Sequence, residues 1–248
     1  MPNISQRGVD MPASPIRKLV PLAEEAKARG VKVYHLNIGQ PDIPTPDVAM
    51  DALRHVDRTV LEYSPSEGIR SFREKLVKYY AKFHIQVDAE DIIITTGGSE
   101  AVFFAFMACL DPGDEIIVPE PAYANYMAFA ISCGAVIKTV PSTIEEGFAL
   151  PSVEKFEALI SPRTKGILIC NPNNPTGYLY TQKEMNQLRD IVKKNTTCSS
   201  SRTRSIANFV IRARPTSRHS IWKASRITWY WSTLFPNDIV NAASVSGH

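Results

Sequence analysis

Residues 92–106 read IIITTGGSEAVFFAF and form the clearest strand-to-helix junction in the chain. A short apolar run of strand type ends at Gly97 and Gly98, and an apolar helix follows at once. Short apolar runs bounded by turn residues are typical of strands buried on both faces of a parallel sheet. The stretch therefore predicts an α/β unit, in which buried strands alternate with helices.

The same alternation continues on both sides of this junction. Strands are predicted at residues 31–39, 92–96, 115–119, 135–141 and 166–172. Helices are predicted at residues 15–30, 47–57, 69–83, 101–110, 123–134, 151–161 and 181–194. The order predicts a doubly wound, mostly parallel sheet covered by helices on both faces.

Composition limits the class of protein. The chain has 248 residues, of which 44% are hydrophobic and 21% charged, as expected for a globular protein of one large or two small domains. No apolar run approaches the ~20 residues that cross a bilayer, and residues 1–18 lack the apolar segment of a secretory signal. The four cysteines show no metal-site spacing. We expect a cytoplasmic protein without membrane or metal partners.

The junction at Gly97 and Gly98 also predicts chemistry. Glycines let the backbone approach a ligand closely, and the N–H groups of Ser99 and Glu100 would open the helix. Free N–H groups at a helix N-terminus bind anions, most often phosphate. A tight strand-to-helix turn without a ligand fits the same residues equally well.

Two further segments follow strand ends. Tyr123, in PEPAYANY (119–126), lies where α/β ligand crevices open, and its ring can stack on a flat heterocycle or simply pack. CNPNNPTG (170–177) predicts an extended, rigid loop, because each residue before a proline is held out of the helical region. In that loop Asn174 can present its amide to a phenolic oxygen.

Five segments occur in the order LNIGQPDIPTP, YSPSEGIRSFREKL, TTGGSEAV, PEPAYANY and NPNNPTG. In this order and approximate spacing the chain resembles the class I/II aminotransferases that depend on pyridoxal phosphate (PLP), the fold-type-I superfamily. The resemblance covers about residues 15–194. NPNNPTG is the most specific single segment, and the ordered set is more specific still.

The resemblance implies a role for each matching residue. Gly39 is expected beside the substrate carboxylate, and Tyr63 is expected to reach the cofactor phosphate of the neighbouring subunit in a homodimer. At the helix start the phosphate would be held by Gly98, Ser99 and Glu100. Tyr123 would stack on the pyridine ring, and Asn174 would hydrogen-bond its 3-oxygen. The implied substrates are an amino acid and a 2-oxo acid.

The resemblance leaves a choice of reaction and implies a domain order. Amino transfer is the expected activity, and a PLP-dependent carbon–sulfur lyase or decarboxylase is the alternative, because these enzymes share the cofactor site. Residues 1–45 are expected to form an N-terminal arm and a piece of the small domain. Residues 46–194 are expected to form most of the PLP-binding large domain.

Residues 195–248 differ from the rest of the chain. They contain six Arg, one Lys and one Asp, whereas 21 basic and 24 acidic residues precede them. The family places a D-x-x-Y pattern and then S-x-S-K-x-x-x-x-x-G-x-R-x-G after NPNNPTG, and neither is present. The one lysine there, Lys223, lies in SIWKASR. We therefore assign no catalytic residue, since the Schiff-base lysine is absent.

A shift of reading frame accounts for this tail. When Ser201–Phe209 is back-translated and read from the last base of the first codon, the codons permit S-D-E-V-Y-R-E-F. The same shift over Ser232–Gly247 permits D-S-V-S-K-R-Y-S-E-C-G-I-R-I-G. Both missing motifs therefore fit one alternative frame. The chain is expected to be frameshifted and truncated after about residue 194, with a tail that does not pack as a native domain.

Two other interpretations of the tail are weaker. A non-catalytic fragment with a basic tail could bind nucleic acid through its arginines and interleaved tryptophans. A transcription regulator with an aminotransferase-like sensor domain would need a helix-turn-helix module, and no space for one precedes residue 15. Because the frame shift explains the same residues and the missing motifs, we expect no nucleic-acid partner.

Overall fold

A computed structural model describes residues 3–12, 14, 17–37, 39, 41–82 and 86–196, together with the backbone of three later strands. Contacts within the chain divide it into two compact units. The larger unit contains residues 1–11 and 66–248, and the smaller unit contains residues 12–65. The predicted domain boundaries near residues 45 and 194 stay predictions.

A five-stranded sheet forms the centre of the larger unit. Its strands are β2 (Glu115–Glu120), β3 (Val136–Pro141), β4 (Thr164–Cys170), β5 (Ala207–Arg212) and β6 (Trp229–Thr233). They lie in the order β3-β2-β4-β5-β6, and every neighbouring pair is parallel. This sheet confirms the α/β fold class with a mostly parallel sheet.

Helices flank the sheet and precede it. They are α1 (Gln6–Asp10), α2 (Val20–Ala28), α3 (Asp47–Arg54), α4 (Arg70–Ala81), α5 (Gly98–Cys109), α6 (Asn125–Cys133), α7 (Val153–Glu157) and α8 (Gln182–Thr196). Two 3-10 turns lie at Arg17–Leu19 and Ala89–Asp91. Within the described ranges, no helix combines the length and the apolar character needed to cross a bilayer.

Successive strand residues point to opposite faces of the sheet and enter different cores. On β2, Ile116 and Val118 join one core cluster, whereas Ile117 joins another. On β4, Leu168 joins the first cluster and Ile167 the second. The first cluster contains α5 and α6 side chains, and the second contains α7 and α8 side chains. Helices therefore cover both faces, as the doubly wound prediction requires.

Local sequence signals explain several helix ends. The hydroxyl of Thr181 accepts the N–H of Glu184 at 3.3 Å, and the Glu184 carboxylate accepts the N–H of Thr181 at 2.7 Å. This reciprocal pair is a capping box and fixes the start of α8. Gly134 ends α6 with a φ of +74°, a left-handed conformation that favours glycine.

Three elements differ from the sequence prediction. Residues 31–39 were predicted as a strand, but the described ones form no strand, and Leu36 is 95% exposed. An alternating pattern needs a neighbouring strand and a face to bury, and Leu36 buries nothing. Helix α7 is shorter than the predicted 151–161. Strand β1 (Ile93–Thr95) lies outside the central sheet and pairs antiparallel with β7 (Asn241–Ala243).

The strands β5, β6 and β7 lie within residues 195–248. Their backbone pairs with β4, with each other and with β1. The side chains of these strands, including those of Trp229 and Trp231, lie outside the described part of the structure, and so does Trp222. The prediction that this tail lacks native packing therefore stays a prediction.

A buried carboxylate lies at the amino end of the central sheet. Glu115 begins β2, and its side chain is only 3% exposed. Its Oε2 lies 2.8 Å from Lys138 Nζ and accepts the hydroxyls of Ser161 and Thr164. Burial raises the pKa of Glu115, but these cationic and hydroxyl partners outweigh burial and hold it at about 2. Glu115 is therefore charged in the folded protein.

This lowered pKa predicts a loss of stability in acid. A carboxyl with a pKa of about 2 when folded and 4.5 as a free group stabilises the fold above pH 4.5. That stability is lost as the pH falls from 4.5 towards 2. The measurement is the free energy of unfolding in urea at pH 7 and at pH 3. We expect the difference between these two values to be about 1–3 kcal/mol smaller in Glu115→Gln than in the parent chain. Equal pH dependence in the variant and the parent chain would contradict the assignment.

Candidate functional site

Three segments gather around the first core cluster at strand ends. They are the start of α5, the loop between β2 and α6, and the loop that follows β4. Val102 and Phe106 of α5 share this cluster with Leu168 of β4, and Tyr123 and Cys170 pack against it. The carboxyl ends of β2 and β4 meet at one edge of the sheet, where ligands bind in open α/β folds.

The start of α5 presents backbone donors. The first hydrogen bond of the helix runs from the N–H of Ala101 to the carbonyl oxygen of Gly97 at 3.2 Å. The N–H groups of Gly98, Ser99 and Glu100 therefore have no acceptor within the helix. Ser99 is exposed, and Gly98 and Glu100 are half-buried. Free N–H groups at a helix start suit an anion, and anion binding by these residues stays a prediction.

The carboxylate and the N–H of Glu100 have different roles. Its Oε2 accepts the N–H of Thr96 at 2.5 Å, across the turn that joins β1 to α5. A carboxylate in the first helical turn is also favoured by the helix dipole. Glu100 thus holds the turn in shape with its side chain, and only its N–H is oriented for an anion.

Tyr123 is half-buried and held on two sides. Its hydroxyl oxygen accepts Nδ2–H of Asn125 at 2.8 Å. The ring of Tyr126 meets the Tyr123 ring edge-on, with centroids 5.4 Å apart and planes at 78°. An edge-to-face pair is a favourable aromatic geometry and restricts the orientation of the Tyr123 ring.

Tyr126 connects Tyr123 to the end of β4. Its side chain is 3% exposed, and burial raises the pKa of its hydroxyl, which donates a hydrogen bond to Cys170 Sγ. Burial likewise raises the pKa of the Cys170 thiol, which also receives the N–H of Asn174. Cys170 is therefore a neutral, structural thiol.

The NPNNPTG loop is ordered by its own asparagines. The side-chain oxygen of Asn171 accepts the N–H of Tyr180 at 3.0 Å. The N–H of Asn173 donates to the carbonyl oxygen of Tyr178, and its carbonyl oxygen accepts the N–H of Gly177, both at 2.8 Å. These bonds close the turn and leave the side chain of Asn174 exposed.

Gly39 and Tyr63 belong to the smaller unit. Both are exposed, and Tyr63 has a relative exposure of 104%. Their expected roles at the substrate carboxylate and at a neighbouring subunit stay predictions. Gly68, five residues after Tyr63, belongs to the larger unit and has a φ of +95°.

Sequence reasoning missed the residues that support Tyr123 and Asn174. Asn125, Tyr126 and Asn173 lie inside the quoted segments. Asn125 and Tyr126 contact Tyr123 within one segment, whereas the contact of Asn173 with Pro121 depends on the packing of separate strands. The spacing of Tyr123 and Tyr126 by three residues was the one available signal, since residues three apart can meet in a helical turn. The contact of Asn173 left no signal in the local sequence.

Comparison with known proteins identifies the family. The model of the family "Aminotransferase class I and II" matches residues 31–198. An aspartate aminotransferase of Thermotoga maritima is 36% identical over 185 residues, which are 73% of this chain and 49% of the relative. A probable aspartate/prephenate aminotransferase of Thermus aquaticus is 35% identical over 77% of this chain and 50% of the relative.

Solved structures show the same fold. A single mutant of Thermus thermophilus aspartate aminotransferase superposes with a TM-score of 0.84 at 28% identity, over 99% of this chain and 65% of that chain. The Thermotoga maritima aspartate aminotransferase structure gives a TM-score of 0.81 at 27% identity, over 97% of this chain and 66% of that chain. The chain spans about half the length of the curated relatives it matches.

Proposed function

The chain belongs to the class I and II aminotransferase family, and from this we propose that the intact protein transfers an amino group between an amino acid and a 2-oxo acid. Members of this family depend on PLP. The observation that carries the proposal is the set of three strand-end segments around one core cluster, each with a group suited to one part of PLP.

The described residues fit this cofactor. The N–H groups of Gly98, Ser99 and Glu100 suit its phosphate, because they lack helical acceptors and lie at the positive end of α5. The half-buried Tyr123 ring suits the flat pyridine, and the exposed amide of Asn174 suits the 3-oxygen. When bound, PLP draws electrons from the α-carbon of the substrate.

The groups that would move protons are absent from these three segments. Residues 96–100, 119–126 and 171–177 contain no lysine. On the described strands, Lys138 and Lys165 instead lie 2.8 and 3.8 Å from the carboxylates of Glu115 and Asp114. Residues 195–248 supply no matching lysine motif in the given frame. We therefore propose that this chain holds PLP without a covalent bond and does not catalyse amino transfer.

The names of the relatives guide the choice of substrate. Several are called aspartate or aspartate/prephenate aminotransferases, so we propose a dicarboxylic amino donor such as aspartate. A homodimer and a cytoplasmic location complete the proposal for the intact protein.

The reaction is tested on the frame-restored protein, which is translated with the shifted frame after Lys194. With aspartate and a 2-oxo acid, we expect one new amino acid for each aspartate consumed. Asn174→Ala should lower kcat/KM by roughly 10–100-fold, since hydrogen bonds to charged groups contribute about 1.5–3 kcal/mol. Asn186→Ala on α8 is the matched control and should change little. With cysteine in place of aspartate, release of sulfide, ammonia and pyruvate without amination of the 2-oxo acid would instead support the lyase alternative. Release of carbon dioxide from an amino acid, again without amination of the 2-oxo acid, would support the decarboxylase alternative.

A further inference from the structure

The side chain of Asn173 joins the two loops that carry Tyr123 and Asn174. Its Nδ2–H donates to the carbonyl oxygen of Pro121 at 3.2 Å, across 52 residues of sequence. Pro121 lies two residues before Tyr123, and Asn173 lies directly before Asn174. The bond therefore connects the base of one loop to the base of the other.

The chemistry of this contact requires a donor. A carbonyl oxygen accepts hydrogen bonds only, so the Asn173 amide must turn its Nδ2 towards Pro121. The Oδ1 atom is buried without a hydrogen-bond partner among the described residues. A buried acceptor without a partner is unfavourable, so the position of Oδ1 does not favour this orientation of the amide. The hydrogen bond that Nδ2 donates therefore determines how the Asn173 amide is turned.

The backbone of Asn173 is held as firmly as its side chain. Its N–H and carbonyl oxygen bond to Tyr178 and Gly177, both at 2.8 Å. Because hydrogen bonds hold both its backbone and its side chain, Asn173 cannot move independently of the residues that it contacts. A displacement of Pro121 would therefore shift Asn173, and with it the adjacent residue Asn174.

We propose that Asn173 is a positioning residue, whose amide sets the distance and angle between the Tyr123 ring and the Asn174 side chain. This inference rests on the proposed function, because it assigns these two groups to one bound PLP. Asn173 acts through its neighbours and need not touch the cofactor.

The test uses the 248-residue chain and two substitutions. Asn173→Asp keeps the size of the side chain but replaces the donor with an acceptor that repels the Pro121 carbonyl. Asn186→Asp makes the same chemical change on α8, where the Asn186 oxygen accepts from Gln182 and Arg189 and needs no donor. The measurements are amide hydrogen exchange of residues 119–126, the Kd of added PLP and the circular dichroism of bound PLP.

We expect Asn173→Asp to speed exchange in residues 119–126 by roughly tenfold, to raise the Kd for PLP by roughly tenfold and to change its circular dichroism. Asn186→Asp should change none of these. A merely structural role would lower the melting temperature but leave the dichroism of bound PLP unchanged, and that result would overturn the proposal.

The two proposals fail in different ways. If the parent chain binds PLP and Asn173→Asp binds it equally well, the positioning role is wrong and the cofactor site stands. If the parent chain does not bind PLP, the proposed site is wrong in this chain. In that case unchanged exchange in residues 119–126 would also overturn the loop contact, whereas faster exchange would support it.

Discussion

Frame restoration after Lys194 is expected to turn a chain without measurable amino transfer into an active enzyme. The shifted codons over Ser201–Phe209 and Ser232–Gly247 permit the D-x-x-Y pattern and the lysine motif that the given frame lacks. A positioned proton-transfer group alone contributes about 10²–10⁴-fold to rate. We therefore expect the amino-transfer rate to rise by at least this factor.

A covalent readout separates the lysine from other effects of the new tail. Borohydride treatment with PLP should label the frame-restored protein at one lysine, the lysine of the S-x-S-K motif. Replacement of that lysine by alanine is the matched control and should abolish both the label and the activity. A site-specific, stoichiometric label on the 248-residue chain, together with amino transfer, would contradict this expectation.

The second large effect is expected at Gly68. Its φ of +95° is a conformation that L-residues with a side chain rarely adopt, and an added Cβ would overlap Cγ1 of Ile94 and lie 2.6 Å from Cβ of the same residue. Ile94 cannot move away easily, because its N–H bonds to the carbonyl oxygen of Glu67 at 3.0 Å. We expect Gly68→Ala to lower the free energy of unfolding by about 2–5 kcal/mol, as the sum of backbone strain and overpacking.

Gly113→Ala is the matched control for this substitution. Gly113 has a similar φ of +87°, but an added Cβ would meet no described atom within 4 Å. We expect Gly113→Ala to lower the free energy of unfolding by the backbone strain alone, about 1–2 kcal/mol, measured by unfolding in urea. Equal losses for the two variants would show that the contact with Ile94 does not contribute.

The central strands could be predicted closely from local sequence. Residues 115–119 and 166–172 were predicted as strands, and the structure has Glu115–Glu120 and Thr164–Cys170. Helix α8 was predicted at 181–194 and observed at Gln182–Thr196. These elements combine a clear apolar period with end signals such as Thr181, so local and tertiary preferences agree.

The elements that were predicted wrongly depend on residues that are far away in the sequence. Residues 31–39 alternate like a strand, but a strand forms only where another strand and a buried face are available. The pairing of β1 with β7 joins residues far apart in sequence, so no local pattern could predict it. The ion pair of Glu115 and Lys138 is a similar case, because a charged strand residue does not reveal its buried partners.

The candidate site was predictable in its parts but not in its connections. Gly98, Tyr123 and Asn174 follow strand ends, and strand ends can be predicted from apolar runs. The bond from Asn125 to Tyr123 and the bond from Asn173 to Pro121 require the folded loops. The sequence therefore predicts which groups would contact the proposed cofactor, and the structure adds the contacts that hold those groups in place.

The nucleotide sequence of the gene tests the central claim most directly. The central claim is that residues 31–194 are the first half of a PLP-dependent aminotransferase whose lysine motif is encoded in the shifted frame. Sequencing of the genomic locus should show a one-base slip near the codons for Lys194 and Asn195, followed by an open frame that encodes D-x-x-Y and S-x-S-K. A continuous frame that encodes Asn195–His248 as given, with no such motifs in the shifted frame, would contradict it.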